Sequence, residues 1–288
     1  MNAKTDLTIA HKESQSKLPI VKRLVRFDYH DIDNGQFYRD NPIISALWVG
    51  LSATFPLGEA EFIRSVKKYE SRIKDPNLKT DVENFAAQEA HHSLQHKKMN
   101  QQFDATGFDT KAIEALMSEK LDERARHWSP KKRLMRTVAA EHVTATFAHY
   151  ALSQPQVLDH APESFRNAML WHAIEEIEHK AVAFDVYKAC EGDMGALKRH
   201  YLFFCFIEFP FQMTLITRFL LKQKAERVTW KDRWGLLKHL FGKHGMISSV
   251  FKLYLMFFKR GFHPWQHDDS TLIDHWKKTL DPHFKVVN

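Results

Sequence analysis

Trp171-His172-Ala173-Ile174-Glu175-Glu176-Ile177-Glu178-His179-Lys180 contains Glu176-x-x-His179, and upstream Gln88-Glu89-Ala90-His91-His92 contains Glu89-x-x-His92. Residues three apart share one face of a helix, so each segment aims a carboxylate and an imidazole at a common point. Two such pairs, each preceded by a helix bearing a further glutamate, make the ligand set of a four-helix di-metal carboxylate site.

The sequence predicts four long helices in that order. Asn41-Pro42 opens the first, with Asn as N-cap and Pro at the first helical position, and an apolar run through Phe55 follows. Pro56-Leu57-Gly58 is expected to interrupt this run before Glu59 leads a new stripe with Phe62 and Val66. After the Asp75-Pro76-Asn77 break, a second helix is expected from about Leu78 to Phe103. Val82, Phe85, Glu89, His92 and His96 fall on one of its stripes, polar where a core helix carries leucine. Residues 110–127 read as a short amphipathic connection. Ser129-Pro130 opens the third long helix, whose stripe of Leu134, Val138, Glu141 and Ala145 sets a carboxylate among apolar residues. The fourth begins near Pro162, carries Phe165, Met169, His172, Glu176, His179 and Ala183 on one side, and is expected to end by Gly192.

The candidate metal ligands are therefore Glu59, Glu89, His92, Glu141, Glu176 and His179. Burying four carboxylates without cations costs several kcal/mol each, and metal ions make such a core tolerable. His172 lies four residues before Glu176 and seven before His179, shares their face, and is a candidate seventh ligand. Glu61 competes with Glu59, which is preferred because it follows the Pro-x-Gly and leads the apolar stripe. Glu175 and Glu178 flank the motif, and at least one must point elsewhere. His96 and Tyr150 are candidates for the layer behind the ligands, Tyr150 either as an electron-transfer aromatic or as a packing residue.

The remaining sequence frames this centre. Residues 1–24 are polar and read as a flexible tail, 25–195 as the helical bundle, and 196–288 as an apolar and basic helical extension. Residues 21–40 read as an irregular strap or short strand. Residues 201–221 are nearly long enough to cross a bilayer, yet Glu208, Pro210, Gln212 and Arg218 are costly in hydrocarbon. With the basic segment after them and a second apolar run from Met246 to Phe258, they suggest helices that cap the bundle or lie at a membrane surface. The net charge of +7 favours anionic surfaces, and no nucleic-acid signature is present. Two cysteines exclude a disulfide scaffold and fit a reducing compartment. The expected location is cytoplasmic, either free or peripheral at the inner face of the membrane.

Phe55-Pro56-Leu57-Gly58-Glu59, Gln88-Glu89-Ala90-His91-His92, Glu141-His142, the Trp171–Lys180 block and Phe262-His263-Pro264-Trp265 resemble a bacterial family of predicted metal-dependent hydrolases, over about residues 25–270. The ligand pattern is similar to the ferritin-like di-iron superfamily, whose members mostly activate oxygen. The resemblance thus implies an all-α, ferritin-like four-helix bundle with additional C-terminal helices. The His172-x-x-x-Glu176-x-x-His179 spacing looks like that of the arylamine N-oxygenases, where an additional histidine joins the last E-x-x-H, which supports His172 as a ligand.

The leading expectation is a non-haem di-iron oxidase or oxygenase. It would use two iron ions, dioxygen, an electron donor of unassigned identity, and a hydrophobic substrate such as an acyl chain. The alternative is a metal-dependent hydrolase in which zinc or manganese activates water with the same ligands. A third reading is a non-catalytic metal-binding helical protein. A second copy of the chain is a candidate partner, as a homodimer.

Overall fold

The computed structural model describes residues 18–280 together with the backbone of 285–286. Most of the expected tail, residues 1–17, lies outside the described residues. The strap then begins, and its short strand β1 (Arg23–Leu24) pairs antiparallel with β2 (Lys285–Val286), Arg23 opposite Val286. All other regular structure among the described residues is helical, and the fold class is all-α.

Helix α1 (Pro42–Lys67) is capped as expected: the Asn41 side chain accepts from the backbone of Ile43 and Ile44 at 3.0 and 3.1 Å. Helices α2 (Pro76–Ala105) and α4 (Pro130–Ser153) repeat the device, with Asp75 and Ser129 as caps ahead of proline. Each such cap contributes about 1 kcal/mol. The short α3 (Thr110–His127) connects them, and α5 (Glu163–His179) follows α4. Helices α1 and α2 form one antiparallel pair, α4 and α5 another, and the two pairs pack face to face.

Two helix expectations need correction. Pro56-Leu57-Gly58 does not interrupt α1, which runs through Pro56 without a break. An internal proline leaves the carbonyl four residues earlier without its helix partner, at a cost of about 3 kcal/mol. Here that carbonyl, Ser52 O, accepts from Asn100 Nδ2 at 3.2 Å, so a neighbouring helix supplies the missing donor. The fourth helix, expected to run unbroken through Ala183, instead stops at His179 and resumes as α6 (Val182–Cys190), which ends before Gly192 as expected. The break lies at Lys180, whose buried ammonium reaches away to Asp269 Oδ2 at 2.7 Å and the His267 carbonyl at 2.8 Å, and lies 4.4 Å from the Trp265 ring centroid.

The C-terminal third wraps the bundle. Helix α7 (Met194–Phe203) passes through a π-helical stretch at 204–208 into α8 (Phe209–Gln223), and α9 (Trp230–Phe241) and α10 (Met246–Met256) follow. Helix α8 comes so close to α1 at Gly50 that a Cβ there would meet Ile216 Cγ2 at 2.7 Å. Helix α10 packs on α4, and α11 (Ser270–Leu280) on α5. Glu208, an expected obstacle to a membrane span, is paired with Arg136 at 2.8 Å and Arg124 at 2.9 Å. Met194–Gln223 is long and apolar enough to cross a membrane, but it lies along the bundle with its inner side packed on α1 and α4.

Candidate metal centre

All seven candidate ligands meet in the middle of the four helices. Glu59 comes from α1, Glu89 and His92 from α2, Glu141 from α4, and His172, Glu176 and His179 from α5; each is at most 6 % exposed. His179 Nε2 lies 3.1 Å from Glu89 Oε1, 3.6 Å from Glu141 Oε2 and 3.7 Å from Glu176 Oε1. His172 Nε2 lies 2.8 Å from Glu176 Oε1 and 3.9 Å from Glu59 Oε1. His92 Nδ1 lies 3.7 Å from Glu176 Oε1 and 4.0 Å from Glu89 Oε2. Two groups emerge, Glu59, His92 and His172 on one side and Glu89, Glu141 and His179 on the other, with Glu176 reaching an imidazole of each.

Every imidazole is tied from behind. His179 Nδ1 donates to Gln88 Oε1 at 2.9 Å, and Gln88 Nε2 donates to the Val21 carbonyl and to Glu178, which fixes the orientation of its amide. His92 Nε2 pairs with Glu175 Oε2 at 3.1 Å. His172 Nδ1 faces His96 Nε2 at 2.9 Å, and His96 Nδ1 faces Ser52 Oγ at 2.9 Å. Since Ser52 Oγ donates to Asn100 Oδ1 at 2.7 Å, it accepts from His96, and His96 in turn accepts from His172. The inward nitrogens of His92, His172 and His179 are then the ones that take a metal ion or a proton. Partners of this kind orient metal-ligating histidines and raise their basicity.

The flanking glutamates divide as the spacing requires. Neither Glu175 nor Glu178 enters the centre: Arg23 of the strap donates to both, at 3.2 Å to Glu175 and at 2.6 and 2.8 Å to Glu178. Glu61 also faces away, in a two-pronged pair with Arg133 at 2.7 Å. His96 lies behind His172, where the sequence places it. Tyr150 does not join that layer; its hydroxyl donates to the His244 carbonyl at 2.8 Å, nine residues along α4 from Glu141, or about 13 Å by helical rise.

Burial and mutual repulsion set the protonation of the cluster. Burial, then the neighbouring carboxylates, pushes Glu59, Glu89 and Glu141 well above the usual carboxylate range. Burial also pushes Glu176 upward, but the hydrogen bond from His172 and the nearby His179 imidazole outweigh it and hold Glu176 well below that range. Burial and the His172 charge depress His92 and His96. Burial works against the His179 cation as well, yet the neighbouring Glu176 carboxylate raises it.

The donors fit divalent ions. Both oxygens of Glu89 and of Glu141, one oxygen each of Glu59 and Glu176, His92 Nδ1 and His179 Nε2 are buried without a hydrogen-bond partner. Eight orphaned polar atoms within these groups are what cations would satisfy, because leaving each unmet costs about 1–3 kcal/mol. Hard carboxylate oxygens with neutral imidazoles suit iron, manganese or zinc.

Fold and site together define an all-α protein with a buried centre of carboxylates and imidazoles that can hold metal ions. A family model described as "Predicted metal-dependent hydrolase" matches residues 21–268, and the chain belongs to that family. No curated protein and no solved structure matches the chain.

The sequence reading missed the residues that hold these ligands. Ser93 on α2 donates to Glu59 Oε2 at 2.9 Å, and Ser52, Asn100, Gln88 and Arg23 carry the outer contacts. Ser93 lies four residues after Glu89 and one after His92, so helical spacing could have suggested it. Among the motif residues, Phe262 packs on His142 and His263 Nε2 pairs with Asp185 at 3.0 Å, which clasps the C-terminal third to α4 and α6.

Proposed function

We propose that this chain is a two-metal enzyme in which Glu59, Glu89, His92, Glu141, His172, Glu176 and His179 hold the ions, within a ferritin-like bundle. The orphaned carboxylate oxygens and inward imidazole nitrogens carry this reading. Membership in the metal-dependent hydrolase family favours hydrolysis over the oxidative chemistry expected from ligand spacing. When bound, the ions would supply Lewis acidity that activates water, or, as iron, the redox chemistry of dioxygen. The protein's own part is to orient the imidazoles through Gln88, Glu175 and His96, to keep bulk water out with Phe55, Phe85 and Trp171, and to hold a substrate. Phe85 packs edge-on against His179 at 5.0 Å between centroids, and Trp171 against His92 at 4.9 Å.

An apolar cavity of about 1060 Å³ between α1, α8, α9 and α10 suits a hydrophobic substrate such as an ester with a long chain. Leu51 lines this cavity, and Phe55, one turn further along α1, packs against His96 and His172 at 4.6 and 5.3 Å between centroids. The oxidative reading keeps one observation in its favour: four carboxylates converge with three imidazoles, a set that would be rich enough in anionic oxygen to stabilise oxidised iron.

Elemental analysis and anaerobic assay separate the two. Zinc or manganese at about two per chain, with ester hydrolysis that survives strict exclusion of oxygen, supports the hydrolytic reading. Iron, an optical change on exposure to air, and activity that needs a reductant would replace it with the oxidative one. Wild-type protein that takes up no metal removes both.

A further inference from the structure

The outer side of the C-terminal third is built unlike the rest of the surface. Of the sixteen large apolar side chains exposed among the described residues, thirteen lie between Leu202 and Leu255. They form stripes. Phe203, Ile207, Phe211, Leu215 and Phe219 recur every four residues along α7 and α8, with Phe211 64 % exposed. Trp230, Trp234, Leu237 and Phe241 follow at spacings of four, three and four on α9, with Trp230 78 % exposed. Helical spacing puts each set on one face, and these are the faces turned from the bundle.

Charge is concentrated in the same segment. Residues 201–260 hold eleven Lys and Arg against three Asp and Glu, a net of +8, whereas the remaining chain holds 31 against 32 and is nearly neutral. All three acids are engaged: Glu208 with Arg124 and Arg136, Glu226 with Lys224, and Asp232 in the capping box of α9. Apart from Lys224, the cations are exposed to solvent. Exposed Trp, Phe and Leu stripes beside Lys and Arg are the composition of helices that lie in a bilayer interface, and the excess charge selects an anionic leaflet.

We infer that α7–α10 form a docking face for an anionic bilayer surface, with the helices lying in the headgroup region and the bundle carried above it. The rim of the apolar cavity includes Phe206, Trp230, Trp234, Phe241 and Phe251, rings of this same face, together with Arg218 and Arg233. Docking therefore brings the cavity mouth against the leaflet, where an amphiphile can pass from lipid into protein with its chain kept from water. The inference concerns the surface and stands whichever chemistry the metal centre performs.

The test is sedimentation of the full chain with vesicles of phosphatidylcholine alone and of phosphatidylcholine mixed with phosphatidylglycerol. The expected result is binding to the mixed vesicles that weakens as salt rises, with tryptophan fluorescence quenched by brominated acyl chains. Phe211→Asp combined with Trp234→Asp should abolish binding, and Lys231→Glu with Arg233→Glu should remove the preference for phosphatidylglycerol. Far-ultraviolet circular dichroism and metal content should stay as in wild type, since none of the four residues touches the core or the centre. Failure of the wild-type chain to sediment with mixed vesicles overturns the inference. So does equal binding to both vesicle types, or a stable dimer in solution that the Phe211→Asp and Trp234→Asp pair converts to monomer, which would assign the face to a second copy.

Discussion

Ser52 and Asn100 hold each other through two hydrogen bonds, Ser52 Oγ donating to Asn100 Oδ1 at 2.7 Å and Asn100 Nδ2 donating to the Ser52 carbonyl at 3.2 Å. The second bond exists because Pro56 has no N–H to offer that carbonyl. Fixing the Asn100 amide fixes the Ser52 hydroxyl, then the His96 ring, and then His172, whose Nε2 turns to Glu176. Pro56 is thus connected to the metal centre through four side chains.

Pro56→Ala restores a helix donor to Ser52 O and competes with Asn100. The expected outcome is a metal-free protein more stable by about 1–3 kcal/mol, from the removed helix penalty. Metal affinity should fall, because His172 loses its fixed orientation. His96→Leu should weaken metal binding by about 10- to 100-fold, the range for loss of a partner behind a ligand, and His96→Gln, which can still accept from His172, should restore part of it. Chelator competition measures both. Unchanged affinity in His96→Leu would show that the chain of hydrogen bonds is only packing.

Arg23 is the counter-charge for two buried glutamates. Its removal as Arg23→Met leaves Glu178 with Lys277, 2.7 Å away, while Glu175 loses its guanidinium partner. Burial already pushes Glu175 up to about 8 against the pull of Arg23. Breaking such a buried pair costs about 3–5 kcal/mol, and the lower end is expected because Glu175 can take up a proton. His92 should then bind metal less tightly. Urea unfolding reads the stability change, and a loss under about 1 kcal/mol would mean that the pair is solvated in solution.

Protons and metal ions should compete for the centre. In metal-free protein Glu59, Glu89 and Glu141 are held above the unfolded carboxylate value and His179 above the unfolded histidine value, so the folded chain binds more protons than the unfolded one. Stability must then fall as pH rises above about 7. The depressed His92 and His96 act oppositely, but only below about pH 6.5, where unfolded histidines titrate. Low-lying Glu176 contributes a constant amount across the upper window. Metal affinity should rise over the same range, with proton release on binding. Thermal unfolding of chelated protein at pH 7 and 9 checks the first; calorimetry in two buffers of different ionisation enthalpy checks the second. Metal-free protein that gains stability toward pH 9 would contradict the protonated cluster.

The convergence of the candidate ligands was legible because each rests on local rules: a cap, a proline, and polar residues three or four apart in an apolar stripe. Glu59 separates from Glu61 by the same periodicity, since Glu61 falls on the face that meets Arg133. What local rules do not contain is the supply of partners from afar. Pro56 reads as a breaker until Asn100, 48 residues beyond Ser52, is known to satisfy the Ser52 carbonyl. No glycine or proline marks the end of α5, and the Lys180 side chain at the break pairs with Asp269, 89 residues on. Arg23 sits in a segment without periodicity, and only the fold brings it to Glu175 and Glu178.

Phe55 stands where the apolar cavity approaches the centre. It lies one turn beyond the cavity-lining Leu51, is only partly buried, and packs against both His96 and His172. Phe55→Ala removes the ring between a hydrophobic ligand and the imidazoles. Because the ring is partly exposed, the stability cost should be about 1–3 kcal/mol, below that of a fully buried phenylalanine. Access should change more than stability. Metal extraction by the flat, uncharged chelator 1,10-phenanthroline should become several-fold faster, while extraction by highly charged EDTA, which an apolar route excludes, should stay at the wild-type rate. Acceleration of both would point to general loosening of the bundle, and acceleration of neither would mean that substrates reach the centre by another path.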